Sequence, residues 1–120
     1  MPICRIVIAT LLGLAVVPAC ATAHAILMAS TPPAGASVPA GRLDMSFRYN
    51  SRIDRARSRL TLTGPERTPH VLKIVPDGPP DLLQASAELT TPGAYVVRWQ
   101  VLAIDGHITR GDVPFSVTGP

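Results

Sequence analysis

From residue 24 onward the chain alternates apolar and polar positions in short runs. Leu43, Met45, Phe47 and Tyr49 occupy every second position, with Asp44, Ser46 and Arg48 between them. Side chains on a strand point to opposite faces in turn, so this run predicts a strand with one buried face. Arg59–Thr63 alternates in the same way around Leu60 and Leu62. Val71–Val75 and Leu82–Leu89 read as further strands. Tyr95–Leu102 is rich in aromatic and β-branched residues and carries the strongest strand signal. Val113, Phe115 and Val117 close the chain with period two. Pro114, inside that run, has no N–H to give to a ladder, which predicts an edge strand or a bulge there.

Turn-forming groups separate the runs: Thr31-Pro32-Pro33-Ala34-Gly35, Thr63-Gly64-Pro65, Asp77-Gly78-Pro79-Pro80 and Thr91-Pro92-Gly93. Eleven of the thirteen prolines lie after residue 23, too closely spaced for long helices. The pattern predicts one all-β domain: a small antiparallel sandwich or barrel of about seven strands. No repeat, low-complexity tract or linker divides it.

The first 23 residues follow a different rule. A weakly basic start with Arg5 leads into an unbroken apolar stretch, Ile6–Val17, and then Pro18. Ala21-Thr22-Ala23 supplies the small residues that signal peptidase recognises. The apolar stretch has 12 residues, against roughly 20 for a transmembrane helix. Residues 1–23 are therefore expected to be a cleaved secretory signal and 24–120 the mature domain. The alternatives are cleavage after Ala19, a short N-terminal anchor, or a buried helix. Lipid attachment at Cys20 is disfavoured by Pro18 close to the cleavage site that it would need.

Processing changes the composition. Both cysteines, Cys4 and Cys20, leave with the signal. The mature domain then has neither disulfide nor thiolate ligand, which removes zinc-finger and thiol-redox chemistry. Ten Lys and Arg against eight Asp and Glu remain, a balance too even to imply nucleic acid. The 97 remaining residues make a small domain, which must rest on its core and on any bound metal.

Three histidines carry the candidate chemistry: His24, His70 and His107. In Asp105-Gly106-His107 the carboxylate and imidazole are two residues apart, and an extended backbone would put them on one side. A surface histidine after an Asp-Gly turn needs no function, however. His24 alters the balance. Cleavage after Ala23 makes it the first residue, so its amine and its own Nδ1 can close a six-membered chelate ring on one ion. The amine proton, with a reference pKa near ~8, is displaced at little cost. An uncleaved chain has an amide there, with no available lone pair. His107 adds a third nitrogen and Asp105 an oxygen. This donor set suits Cu(II), whereas Cu(I) prefers soft sulfur. Only Met28 and Met45 remain in the mature chain, and Met45 falls on the Leu43/Phe47 face expected to be core.

With these residues in view, the chain resembles the CopC family of copper-binding proteins. Its mature start, HAILMASTPPAGASV, is similar to the family's leading His, short strand and Ser/Thr-Pro-x-x-Gly turn. Tyr95-Val96-Val97-Arg98-Trp99, Asp105-Gly106-His107, Gly111 and Phe115-Ser116-Val117 follow the family's Y-x-V-x-W … D-G-H … G-x-x-x-F-x-V pattern. The middle, about residues 51–88, matches loosely. The resemblance implies an immunoglobulin-like Greek-key sandwich or barrel in the periplasm. It also implies one Cu(II) per chain on His24, Asp105 and His107, and an inner-membrane, CopD-like transporter as partner. Ala103 stands where the family often has Ser, and the Met-rich Cu(I) site of some members is missing.

The function expected is that of a monomeric copper carrier or buffer in copper homeostasis and resistance, not an enzyme. The alternatives are a histidine-brace copper oxidoreductase and a metal-free structural sandwich. His70 is expected as an exposed loop residue with no role in binding. Arg52, Arg55, Arg57 and Arg59 are expected to form a solvated basic face, with docking to an acidic partner or membrane as the functional reading. Tyr95 and Trp99, sharing one strand face, are expected in the core.

Overall fold

The computed structural model describes residues 24–119. The signal-peptide reading of residues 1–23, with Cys4 and Cys20, lies outside the described residues. Eight strands form: β1 (Leu27–Thr31), β2 (Ser37–Pro39), β3 (Gly41–Tyr49), β4 (Arg59–Thr63), β5 (Pro69–Val71), β6 (Leu82–Leu89), β7 (Gly93–Leu102) and β8 (Ile108–Thr118). They make a three-stranded sheet, β1-β3-β6, packed on a five-stranded sheet, β2-β8-β7-β4-β5. Within a sheet, β4 leads directly to β5 and β7 to β8; the other connections cross between sheets. The expected small antiparallel sandwich is what forms; all ladders are antiparallel except the three-residue pairing of β2 with β8, which is parallel.

The period-two patterns explain the packing. Met45, Phe47 and Tyr49 of β3 point inward with Leu83 and Ala85 of β6. They face Leu60 and Leu62 of β4, Tyr95, Val97, Trp99 and Val101 of β7, and Val113, Phe115 and Val117 of β8. The Tyr49 and Trp99 rings meet edge-on across the sandwich, 5.3 Å between centroids, a geometry that suits the quadrupoles of two aromatic rings. Trp99 also explains a glycine: in register with Gly111, its indole lies where a Cβ there would come within 2.5 Å of Cζ2. The Tyr95 hydroxyl donates to the Thr91 carbonyl at 2.6 Å and pins the entry to β7.

Pro114 lies on the outer edge of β8, away from β7. β2 pairs only with Ser116–Thr118 of β8, leaving the preceding part of β8 with β7 alone. The Pro114 carbonyl accepts from Gly35 N–H at 2.7 Å on that outer side. The missing N–H faces the same way, so no β7–β8 hydrogen bond is lost.

Three local expectations are corrected. The strand expected over Val71–Val75 is Pro69–Val71. The chain then crosses between sheets: Leu72 N–H donates to Leu60 O at 2.8 Å and Val75 N–H to Gln84 O at 2.8 Å. A segment bonded to both sheets cannot continue either ladder. His70 is consequently in strand β5, opposite Leu62, rather than in a loop, though it is exposed as expected. Arg55, expected on a solvated face, is only half exposed. It sits in a 3-10 helix, Arg55–Arg57, capped by Asp54. Its guanidinium donates to the carbonyls of Pro79 at 2.5 Å and Leu82 at 3.1 Å. Arg52, Arg57 and Arg59 are exposed.

Candidate metal centre

The β7–β8 hairpin carries two of the three predicted ligands. Its arms stay paired to Leu102 opposite Ile108, and a five-residue loop, 103–107, connects them. Ala103 N–H donates to His107 O at 2.8 Å, and Gly106 N–H to Ala103 O at 2.9 Å. Gly106 takes φ +92°, a left-handed conformation that glycine adopts without steric cost. The buried methyl of Ala103 anchors the loop on the core, and its backbone bridges to Ile53.

Asp105 organises His107 from within this loop. One carboxylate oxygen accepts from His107 N–H at 3.1 Å; the other lies 2.7 Å from His107 Nδ1. These two hydrogen bonds, side chain first, hold the Asp105 carboxyl below its ordinary range, with smaller help from the charges of His107 and His24. With its proton on Nδ1, His107 keeps a lone pair on Nε2.

His24 reaches the same place from the other sheet. The next residue, Ala25, is buried, and its carbonyl accepts from Thr109 Oγ1 at 2.9 Å. Ile26 N–H donates to Asn50 Oδ1 at 2.8 Å, and Asn50 N–H returns to Ile26 O at 3.0 Å. The start of the domain is thus tied to β8 through Thr109 and to the end of β3 through Asn50. The His24 and His107 rings meet edge to face, 4.7 Å between centroids and 71° between planes. Neither Thr109 nor Asn50 was foreseen from the sequence; both act through side-chain bonds to backbone far along the chain, which spacing does not reveal.

The structure therefore brings His24, Asp105 and His107 together at one exposed end of the sandwich. Among the described residues, no group of three or more His, Cys, Asp or Glu side chains already stands arranged to hold an ion. The Asp105 carboxylate faces His107 rather than a shared centre. His70 is elsewhere: β5 is separated from β8 by β7 and β4, and His70 Nε2 lies 3.6 Å from Glu66.

Two packed sheets, with His24, Asp105 and His107 close together beside the domain's first residues, define a small β-sandwich domain. The chain belongs to the CopC family: residues 27–118 match the CopC domain, and the family's members are typically non-enzymatic copper-binding proteins. It is similar to copper resistance protein C of Pseudomonas syringae pv. tomato, 31% identical over 108 residues, covering 84% of this chain and 86% of that protein. It is also 31% identical over 100 residues to Protein YobA of Escherichia coli K12, covering 79% of each. The crystal structure of CopC from Methylosinus trichosporium OB3b superposes with a TM-score of 0.71 at 25% identity, over 80% of this chain and 95% of that one. For PcoC, a methionine-rich copper resistance protein from Escherichia coli, the TM-score is 0.62 at 25% identity, over 80% and 100%.

Proposed function

We propose that the mature chain is a periplasmic Cu(II) carrier or buffer in copper homeostasis and resistance. It binds one ion per chain through the His24 amine and imidazole, His107 and Asp105. The observation that carries this reading is the meeting of His24 with the Asp105–His107 pair, from opposite sheets, at the residue that signal cleavage would free. Family membership supports copper as the ion, and the nitrogen and oxygen donors favour the oxidised state.

His107 offers Nε2 to the ion while its Nδ1–H stays on Asp105, and Asp105 would have to turn from that contact to become a ligand itself. Displacing the proton of the His24 amine makes Cu(II) uptake release protons. The carrier acts as a monomer and hands copper to an inner-membrane transporter of the CopD type.

The deciding experiment compares Cu(II) affinity of a chain beginning at His24 with one beginning at Ala23. The first should bind one ion much more tightly, because only there does His24 itself carry the primary amine that closes the chelate ring with its Nδ1. Equal affinities would remove the amine from the ligand set and the reading with it.

A further inference from the structure

Six large apolar side chains stand exposed among the described residues: Ile26, Met28, Val71, Val75, Ile104 and Ile108. Four of the six adjoin the candidate centre. Ile26 and Met28 follow His24, while Ile104 and Ile108 bracket Asp105 and His107. Their exposures are 56%, 63%, 64% and 49%. The contact between the His24 and His107 rings brings both segments to one end of the sandwich. Single exposed apolar residues are ordinary, but a concentration around a site is not.

Their placement distinguishes kinds of partner. β1 is bulged at Met28, where Leu27 pairs with Tyr49 and Ala29 with the adjacent Arg48. Leu27 faces inward, so Ile26 and Met28 turn out from the three-stranded sheet. Ile108 alternates with inward Thr109 and stands on the outer face of the five-stranded sheet. Ile104 is in the loop between the hairpin arms. The four therefore project from different sides of this end and do not line a common groove for a peptide. Of the four, only Ile104 borders the adjoining cavity, which it shares with Arg52 and Arg57. All are aliphatic or thioether, whereas every described Phe, Tyr and Trp is buried; protein-binding hot spots draw chiefly on Trp, Tyr and Arg.

Charge points the same way. Arg52, Arg57 and Arg110 are exposed at or next to this end, and Arg52 forms no ion pair among the described residues. The nearby carboxylates are engaged: Asp54 lies 3.7 Å from Arg57, and Asp105 faces His107. A rim of separate apolar projections with flanking arginines matches a surface that is apolar inside and anionic at its headgroups.

We propose that the end of the sandwich bearing Ile26, Met28, Ile104 and Ile108 docks onto anionic lipid bilayers, the apolar side chains entering the headgroup boundary and Arg52 and Arg57 meeting lipid phosphates. This deepens the copper-carrier reading, since docking would hold the centre against the membrane. Lipid binding is nevertheless measured on copper-free protein, so the two claims fail separately.

The chain from His24 onward contains the whole described core and is the protein to use. It is co-sedimented with vesicles of phosphatidylglycerol and phosphatidylethanolamine, and with phosphatidylcholine vesicles. Binding should favour the anionic vesicles at least tenfold and weaken as salt is raised. The double variant Ile104→Ser/Ile108→Ser should lose at least tenfold in vesicle binding while keeping Cu(II) affinity and its circular dichroism spectrum. Val71→Ser/Val75→Ser, which removes the exposed apolar pair away from the centre, should bind vesicles like the parent. Arg52→Gln/Arg57→Gln supplies a second route, lowering both vesicle affinity and its salt dependence. Absence of binding to anionic vesicles would overturn the proposal, as would equal losses in the Ile and Val pairs. Binding to native inner-membrane vesicles but not to protein-free lipid would overturn it too, and would assign the rim to a membrane protein.

Discussion

The Asp105 carboxylate accepts both hydrogen bonds that hold His107 in place, and they lower its pKa. A carboxyl whose folded pKa is depressed adds stability above its unfolded value and loses it as pH falls through the folded one. The Asp105–His107 contact in copper-free protein should therefore persist at neutral pH and dissolve only below the ordinary aspartate range of about 4. Carboxyl-carbon NMR titration would check this; an Asp105 transition at or above that range would contradict it. Asp105→Asn should lower Cu(II) affinity by at least the 10–100-fold typical of losing a hydrogen-bonding partner of a metal-binding histidine. His107→Ala should cost more than that, and His70→Ala almost nothing, as measured by competition with a chromophoric chelator. Equal losses in the two histidine variants would reject the ligand assignment. The sequence could single out these three residues because the chelate chemistry of a leading His is local and D-G-H is contiguous; their side chains do meet, and the variants test whether they are ligands. Arg55 was not: its carbonyl partners lie 24 and 27 residues away, and a run of arginines looks the same whether its members face water or backbone.

Among the elements, β3, β4, β6, β7 and β8 could be read from period two because each buries one face against the other sheet. β5 and the segment after it could not, since Leu72–Val75 keeps an alternating composition while its hydrogen bonds pass from one sheet to the other. The parallel pairing of β2 was hidden for a related reason: three residues, Ser37-Val38-Pro39, carry too short a pattern to declare a partner or direction. The β7–β8 hairpin has the tightest constraint. Gly111→Ala would drive a methyl into the Trp99 indole at the centre of the ladder. Overpacking of this kind typically costs about 1–3 kcal/mol, so denaturant unfolding should show a loss of that size. Gly119→Ala, whose added Cβ would meet only Pro92 at 3.9 Å, should show little change. A Gly111→Ala variant as stable as the parent would mean that the indole can move aside.

For the molecule as a whole, the candidate centre lies where the first residues of one sheet meet the hairpin of the other. An ion held by His24 and His107 joins these segments in the folded state and not in the unfolded chain, so it should stabilise by mass action. The melting temperature of the chain beginning at His24 should rise with Cu(II) up to one equivalent and then level off. Cu(I) under reducing conditions should raise it little. A second saturating step, or tight Cu(I) binding, would contradict a single nitrogen and oxygen site. The outer side of β8 has a separate bearing on solubility. Gly35 closes this edge at Pro114, but from Ile108 to Val113 the strand has, among the described residues, no backbone neighbour beyond β7, and an open edge invites another chain to add a strand. Arg110 and Asp112 put charge along it, and Pro114 removes one of the N–H groups that an incoming strand would need. The residue that interrupts the last strand, with Gly35 on its carbonyl, would then limit how far an added strand could extend. Pro114→Val should leave the β7–β8 ladder intact yet produce concentration-dependent oligomers in light scattering, and restoring proline should return the monomer.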